Sequence, residues 1–184
     1  MRSSGLTLIE LLLTIAVAAI LLGAAIPSFS SLLARSALST ARDDLIHSLN
    51  LARTAAIMRG TATSVCAADA NRECAPSNKW EYGWLVFEDP DRDEHCADVD
   101  GDGLCDADGG QVLAHVVRTD TRITIRGNHF VGSGLSFDPL GHARWSHGTF
   151  SICDSRRVSP PGGIVIAPSG RIRSSVPTDS LSCP

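Results

Sequence analysis

The sequence predicts an α+β protein: one long N-terminal helix whose outer half packs on a small antiparallel β domain. Three observations predict it. An apolar run, Leu11 to Ile26, is interrupted only by Thr14 and Gly23. Behind it, Leu38, Ala41, Leu45, Leu49, Ala52 and Ala56 recur at spacings of three and four, one face of a helix. From Thr61 onward, short β-branched and aromatic segments alternate with Gly, Pro, Asn and Asp, the texture of short strands joined by turns.

The helix comes first. At a rise of about 1.5 Å per residue, Leu6 to Ile26 extends about 30 Å, enough to cross a bilayer core. Glu10 stands out near the start of this run. A carboxylate in hydrocarbon costs roughly 2.5–3.5 kcal/mol, so its retention implies a task. Arg2 is the only charge before the span and favours a cytoplasmic N-terminus, which places the rest outside the cytoplasm. Pro27 is expected to kink the helix. The amphipathic continuation carries Arg42, Asp43, Ser48, Asn50 and Arg53 opposite its apolar stripe and stops at Gly60.

The strands follow in order: residues 61–66, 80–87, 111–118, 121–126, 134–137, 148–153, 162–167 and 171–174. No stretch after Arg59 is long and helical, and no internal repeat is visible. Six cysteines, Cys66, Cys74, Cys96, Cys105, Cys153 and Cys183, all lie beyond the apolar run. Outside the cytoplasm an even number reads as disulfides. Short-loop closure favours Cys66–Cys74 and Cys96–Cys105, leaving Cys153–Cys183. No Cys-x-x-Cys pair supports a zinc site.

Charge is unevenly placed along the 184 residues. The net charge of −4 conceals a middle stretch, Ala67 to Gly110, with 13 acidic residues against Arg72, Lys79 and Arg92. From Gln111 onward eight Arg face four Asp. The C-terminal part is therefore basic, and its basic residues are all Arg.

The N-terminal pattern resembles a type IV prepilin: a short leader ending in Gly5, then Leu6, Glu10 and the apolar run. The resemblance implies removal of residues 1–5 by a prepilin peptidase and N-methylation of Leu6. It also implies that Glu10 offsets the positive N-terminus of a neighbouring subunit during assembly. Members of the class most often carry Phe at the first mature position, so Leu6 departs from the pattern. The Cys66/Cys74 loop, Trp80-x-x-Gly83-Trp84-Leu85-Val86-Phe87 and the Asp-rich loop behind it are similar to the GspH/FimT group of minor pilins and pseudopilins. That group's organisation implies a leader at 1–5, a transmembrane and filament-core helix at 6–27 and an amphipathic helix at 28–60. A periplasmic β domain at 61–184 would follow, with an acidic insertion at 88–110. The chain would sit in the inner membrane and then join a pilus with other pilin subunits.

Three clusters are candidates for chemistry. Near the C-terminus, a strand and a Pro168-Ser169-Gly170 turn precede Arg171-Ile172-Arg173. Alternation sends both guanidinium groups to one face, about 7 Å apart, a spacing suited to adjacent phosphates. Gly170 is expected to let the backbone approach the ligand. This Gly-Arg-x-Arg pattern resembles the DNA-binding motif of the FimT-type members, which serve DNA uptake in natural transformation. Arg156 and Arg157 extend the patch if the tail folds back. Solvated Arg on an edge strand would also block strand-to-strand association.

The second cluster is Asp98-Val99-Asp100-Gly101-Asp102-Gly103, the first half of a calcium loop. Gly109 stands where an EF-hand needs its bidentate Glu, so only a looser Ca²⁺ site on Asp98, Asp100 and Asp102 is expected; otherwise the insertion is a solvated, disulfide-pinned loop. The third cluster is His142, Arg144, Trp145 and His147, a turn-like segment that could line a polyanion face. No nucleophile elbow or His-Glu-x-x-His pair appears, and the expectation is a non-enzymatic protein. The expected function is a minor pilin that binds DNA. The rivals are a priming subunit that touches no DNA and a GspH-like pseudopilin of a type II secretion system.

Overall fold

The structure, a computed structural model, describes residues 7–107, 109–120, 122–157, 159–175 and 183, without the side chains of 24–28. Gly5 and Leu6 lie outside the described residues. Helix α1 runs from Leu8 to Arg59. Its first turn is closed by a capping box: the Glu10 N–H donates to Thr7 Oγ1 at 3.3 Å, and the Thr7 N–H donates to Glu10 Oε2 at 3.3 Å. The backbone stays helical through Pro27, although proline can offer no N–H to the carbonyl four residues earlier. Among the described residues no helical window long and apolar enough to cross a membrane is complete. The described apolar run stops at Gly23, and its leucines and isoleucines are exposed.

The outer half of α1 buries one stripe. Ala34, Ala41, Leu45, Leu49, Ala52 and Ala56 are fully buried and Leu38 nearly so. Small residues on most turns let strands approach the helix closely. Ser48, expected on the solvent face, is buried as well, because sheets close on the helix from more than one side.

The strands are β1 (Thr63–Ala67), β2 (Gly83–Glu88), β3 (Val112–Val117), β4 (Ile123–Gly127), β5 (Gly134–Phe137), β6 (Gly148–Asp154), β7 (Gly162–Ile166) and β8 (Ile172–Ser175). They form two antiparallel sheets, ordered β3-β2-β1-β5 and β4-β6-β7-β8. Val65, Trp84 and Val86 of the first sheet and Ile125, Phe150, Ile152 and Ile164 of the second join the α1 stripe in one core.

The first sheet is buried on both faces. Alternation turns Cys66, Leu85 and Phe87 away from α1, and there they form a second cluster with Cys74, Cys96 and Cys105. The acidic segment after β2 supplies the cover. Its disulfide Cys96–Cys105, together with Cys66–Cys74, holds it on that face. A third disulfide, Cys153–Cys183, ties the C-terminus to β6. The segment is thus a lid over apolar surface rather than a freely solvated loop.

The strand expected over 80–87 begins late. Trp80–Tyr82 forms a 3₁₀ turn, and β2 starts at Gly83. Gly83 has φ of +142°, and a Cβ there would lie 2.1 Å from the Val116 carbonyl oxygen. Only glycine admits that close passage between turn and strand. The turn drives Trp80 fully into the core. Its Nε1 donates to the Gly132 carbonyl at 2.7 Å, and its ring meets Phe150 edge-on at 4.9 Å.

Truncating the stripe should be costly. Leu49→Ala is expected to lower stability by about 2–5 kcal/mol in denaturant unfolding. Leu140→Ala, at a side chain 70% exposed, should change it by less than about 0.5 kcal/mol.

Candidate nucleic-acid interface

The β7–β8 hairpin carries the Arg pair on the edge of the second sheet. Ile166 pairs with Ile172 and Val165 with Arg173. The turn closes through the Ala167 N–H to the Arg171 carbonyl at 3.0 Å and the Gly170 N–H to the Ala167 carbonyl at 2.8 Å. Ile172 is half-buried and packs on the core, while Arg171 and Arg173 on either side are exposed. Two residues of strand separate the two Arg by about 7 Å. Among the described residues neither guanidinium has a hydrogen-bond or ion-pair partner.

Gly170 serves a different purpose from the one expected. It is buried, with φ of +74°, and a Cβ there would lie 1.8 Å from the Gly141 carbonyl oxygen. It lets the hairpin turn seat against the turn after β5, so it faces protein rather than a ligand. The two turns are joined by the Ala143 N–H to the Pro168 carbonyl at 3.1 Å. Arg53 of α1 braces both: Nε donates to the Gly141 carbonyl at 2.9 Å and Nη2 to the Ser169 carbonyl at 3.4 Å. Helical periodicity alone places Arg53 opposite the apolar stripe and does not reveal these two acceptors.

Arg156 and Arg157 do not extend the patch. They follow β6 at the end of the sheet where Ile152 pairs with Gly162, opposite to the end holding the β7–β8 turn. The length of β7, five residues, is about 16 Å. Arg156 also leans on buried Asp154, Nε to Oδ1 at 3.4 Å.

The segment after β5 lies at the same end as the Arg pair. Asp138 organises it, accepting the backbone N–H groups of Leu140 and His142 at 2.9 Å each. Burial alone would raise its carboxyl. The two N–H donors, with His142 and Arg144 nearby, outweigh burial and hold it below the usual range. Arg144 reaches Asp138 at 3.6 Å but stays 62% exposed. Trp145 is 88% exposed. Phe130 stacks on His147 with centroids 5.5 Å apart and planes 13° from parallel. Nothing in the sequence around Phe130 signals that contact, which joins a 3₁₀ turn to the residue before β6.

The aspartate cluster is committed internally. Carboxylate oxygens of Asp98, Asp100 and Asp102 lie within 4.8 Å of one another. Asp98, however, is fully buried and paired with Arg72, and its other oxygen accepts the Gly103 N–H at 3.2 Å. Asp100 accepts the Asp102 N–H at 3.1 Å, and Asp102 accepts the Leu104 N–H at 2.8 Å. Burial would raise the Asp98 carboxyl, but Arg72 and the backbone donors reverse this and hold it low. The pattern that suggested calcium therefore builds a turn anchored by an arginine. Asp89, buried beside the Ser64 hydroxyl and the Glu94 N–H, is instead pushed up by burial.

A carboxyl lowered by folding stabilises the protein above its unfolded value of 3.8, and that contribution is lost as pH falls through the folded value. Arg72→Gln should cost about 1.5–3 kcal/mol at neutral pH. The gap from wild type should narrow below pH 3.8; denaturant unfolding across pH checks both. Calorimetry with millimolar Ca²⁺ is expected to give no binding heat.

The fold has counterparts among known proteins. The family described as Type II transport protein GspH matches residues 41–170, and the Prokaryotic N-terminal methylation motif matches residues 1–26. No curated protein matches. Two solved structures of the type IV minor pilin FimU from Pseudomonas aeruginosa strain PAO1 are similar in fold. One, in space group P21, has a TM-score of 0.57 at 19% identity, covering 77% of this chain and 90% of the other. The second, in P65, has a TM-score of 0.54 at 18% identity, covering 74% and 91%. The methylation motif implies processing by prepilin peptidase, anchoring in the inner membrane and assembly with other pilin-like subunits. The chain belongs to the GspH family: it is a minor pilin or pseudopilin with the N-terminal methylation motif, a structural subunit rather than an enzyme.

Proposed function

We propose that this subunit is a FimT-like minor type IV pilin that binds DNA without regard to base sequence and supports DNA uptake in natural transformation. Arg171 and Arg173 hold adjacent phosphates, and Gly170 shapes the turn that presents them. The observation that carries the reading is the state of those two side chains: exposed, on alternate positions about half-buried Ile172, and without a described carboxylate partner. Surface arginines elsewhere, such as Arg122 with Asp120 and Arg59 with Glu88, have found acids. The leader at 1–5, cleaved after Gly5, would free Leu6 for methylation. Residues 6–27 would hold the subunit in the inner membrane and then the filament, with Glu10 facing a neighbour's N-terminus. The remainder would lie in the periplasm and later outside the cell.

Charge placement supports the same reading. The aspartates from Asp98 to Asp106 belong to the cover on the first sheet, on its face away from α1. The Arg pair stands on the edge of the other sheet. These aspartates and the Arg pair therefore belong to different sheets.

A second reading rests on the match to a type II transport family. The chain would then be a pseudopilin, or a priming minor pilin, whose partners are other subunits. The test is fluorescence anisotropy with random-sequence duplex DNA and the full chain in detergent. Arg171→Gln with Arg173→Gln should lower affinity at low salt at least about tenfold, with the melting temperature unchanged because both side chains are exposed. Equal affinity for the variant and wild type would defeat the DNA reading and leave the structural one.

A further inference from the structure

Resting on the phosphate-binding reading, we infer that the surface beside the Arg pair is a base-stacking platform, so that the subunit prefers single-stranded nucleic acid over duplex. Its aromatic groups are Trp145 and the Phe130–His147 stack. Trp145 is the exception among the three tryptophans: Trp80 and Trp84 are fully buried, whereas Trp145 is 88% exposed. Leaving an indole in water is unfavourable unless a partner covers it. Phe130 is 55% exposed and presents a ring face already aligned with His147.

Topology brings these rings to the arginines. Ala143 is hydrogen-bonded to Pro168 of the β7–β8 turn, and Trp145 follows two residues later. His147 immediately precedes β6, at the end where Gly148 pairs with Ile166 and Ile166 with Ile172. Arg171 immediately precedes β8 at that same end. The inward positions there are Ile166 and Ile172, so alternation turns Arg171 and the residue before Gly148 outward. Exposed Arg144 lies between the turn and Trp145. Two carboxylates that line the same cavity as Trp145 already have protein donors: Asp138 accepts from Leu140 and His142, and Glu94 Oε1 accepts the Ser146 hydroxyl at 2.8 Å.

The occupant follows from this chemistry. Cations at about one strand-repeat spacing take phosphates, and flat rings beside them take bases without selecting among them. Paired bases in a duplex keep their faces stacked on one another, so only an unpaired strand can use both features. Charge complementarity selects nucleic acid over an apolar protein surface.

Trp145 fluorescence is the direct readout, since the other two indoles are in the core. A short oligothymidylate added to the full chain in detergent should quench the emission, and the matching duplex should do so far less. Trp145→Ala should weaken oligothymidylate binding about tenfold and duplex binding little, with Trp145→Phe restoring most of it. Phe130→Ala should act in the same direction. Oligothymidylate binding without quenching, and with Trp145→Ala equal to wild type, would overturn the platform while leaving the arginine contacts standing. No binding of either nucleic acid by wild type would bring down both. Emission that changes on dilution without DNA would assign the ring to contacts between copies and overturn the platform.

Discussion

The architecture depends on how closely two sheets can approach one helix. Along the outer half of α1, alanine occupies most of the buried positions, with Leu38, Leu45 and Leu49 filling the gaps. Larger residues would push the sheets away. With the sheets in place, the turn after β5 and the β7–β8 turn fall within reach of a single side chain, Arg53. That brace joins the helix to both turns of the candidate interface. Gly170 completes it, because a side chain there would collide with the Gly141 carbonyl.

The two sheets are treated differently on their outer faces. The first sheet buries both, and its cover is the acidic segment stapled by Cys66–Cys74 and Cys96–Cys105. The second sheet covers its outer face in part: Thr124 and Arg126 of β4 are half-buried, while Ser151 and Cys153 of β6 are buried. A structural subunit must pack its helix into an assembly, so its remaining recognition chemistry belongs on the domain's outer surfaces. The disulfides also suit a fold whose small core faces oxidising surroundings.

Much of this was legible in the sequence, for local reasons. The apolar stripe of α1 has helical period, and all six of its expected positions are buried. Strands bounded by Gly and Pro emerged within a residue or two of their observed limits, β5 at its observed limits, except β2, whose start at Gly83 lies three residues after the expected one because Trp80–Tyr82 turns first. What failed to show was long-range. Arg53 lies 88 and 116 positions from its two acceptors, so periodicity could only assign it to a solvated face. Gly170 looked like a glycine opened toward a ligand because its neighbour in space, Gly141, is 29 positions earlier in the chain. The aspartate motif read as half of a calcium loop because Arg72, its actual counter-ion, lies 26 positions from Asp98. Arg156 and Arg157 were expected to join the patch if the tail folded back, yet sheet order carries them to the far end.

In the function we propose, the guanidinium groups of Arg171, just before β8, and Arg173, within it, each neutralise a DNA phosphate. The slope of log affinity against log salt counts such contacts most directly. For the full chain on duplex DNA, replacing both arginines by glutamine should flatten that slope by about 1.8, roughly 0.9 for each phosphate released. A slope identical to that of wild type would contradict the account, whatever happened to the affinity itself.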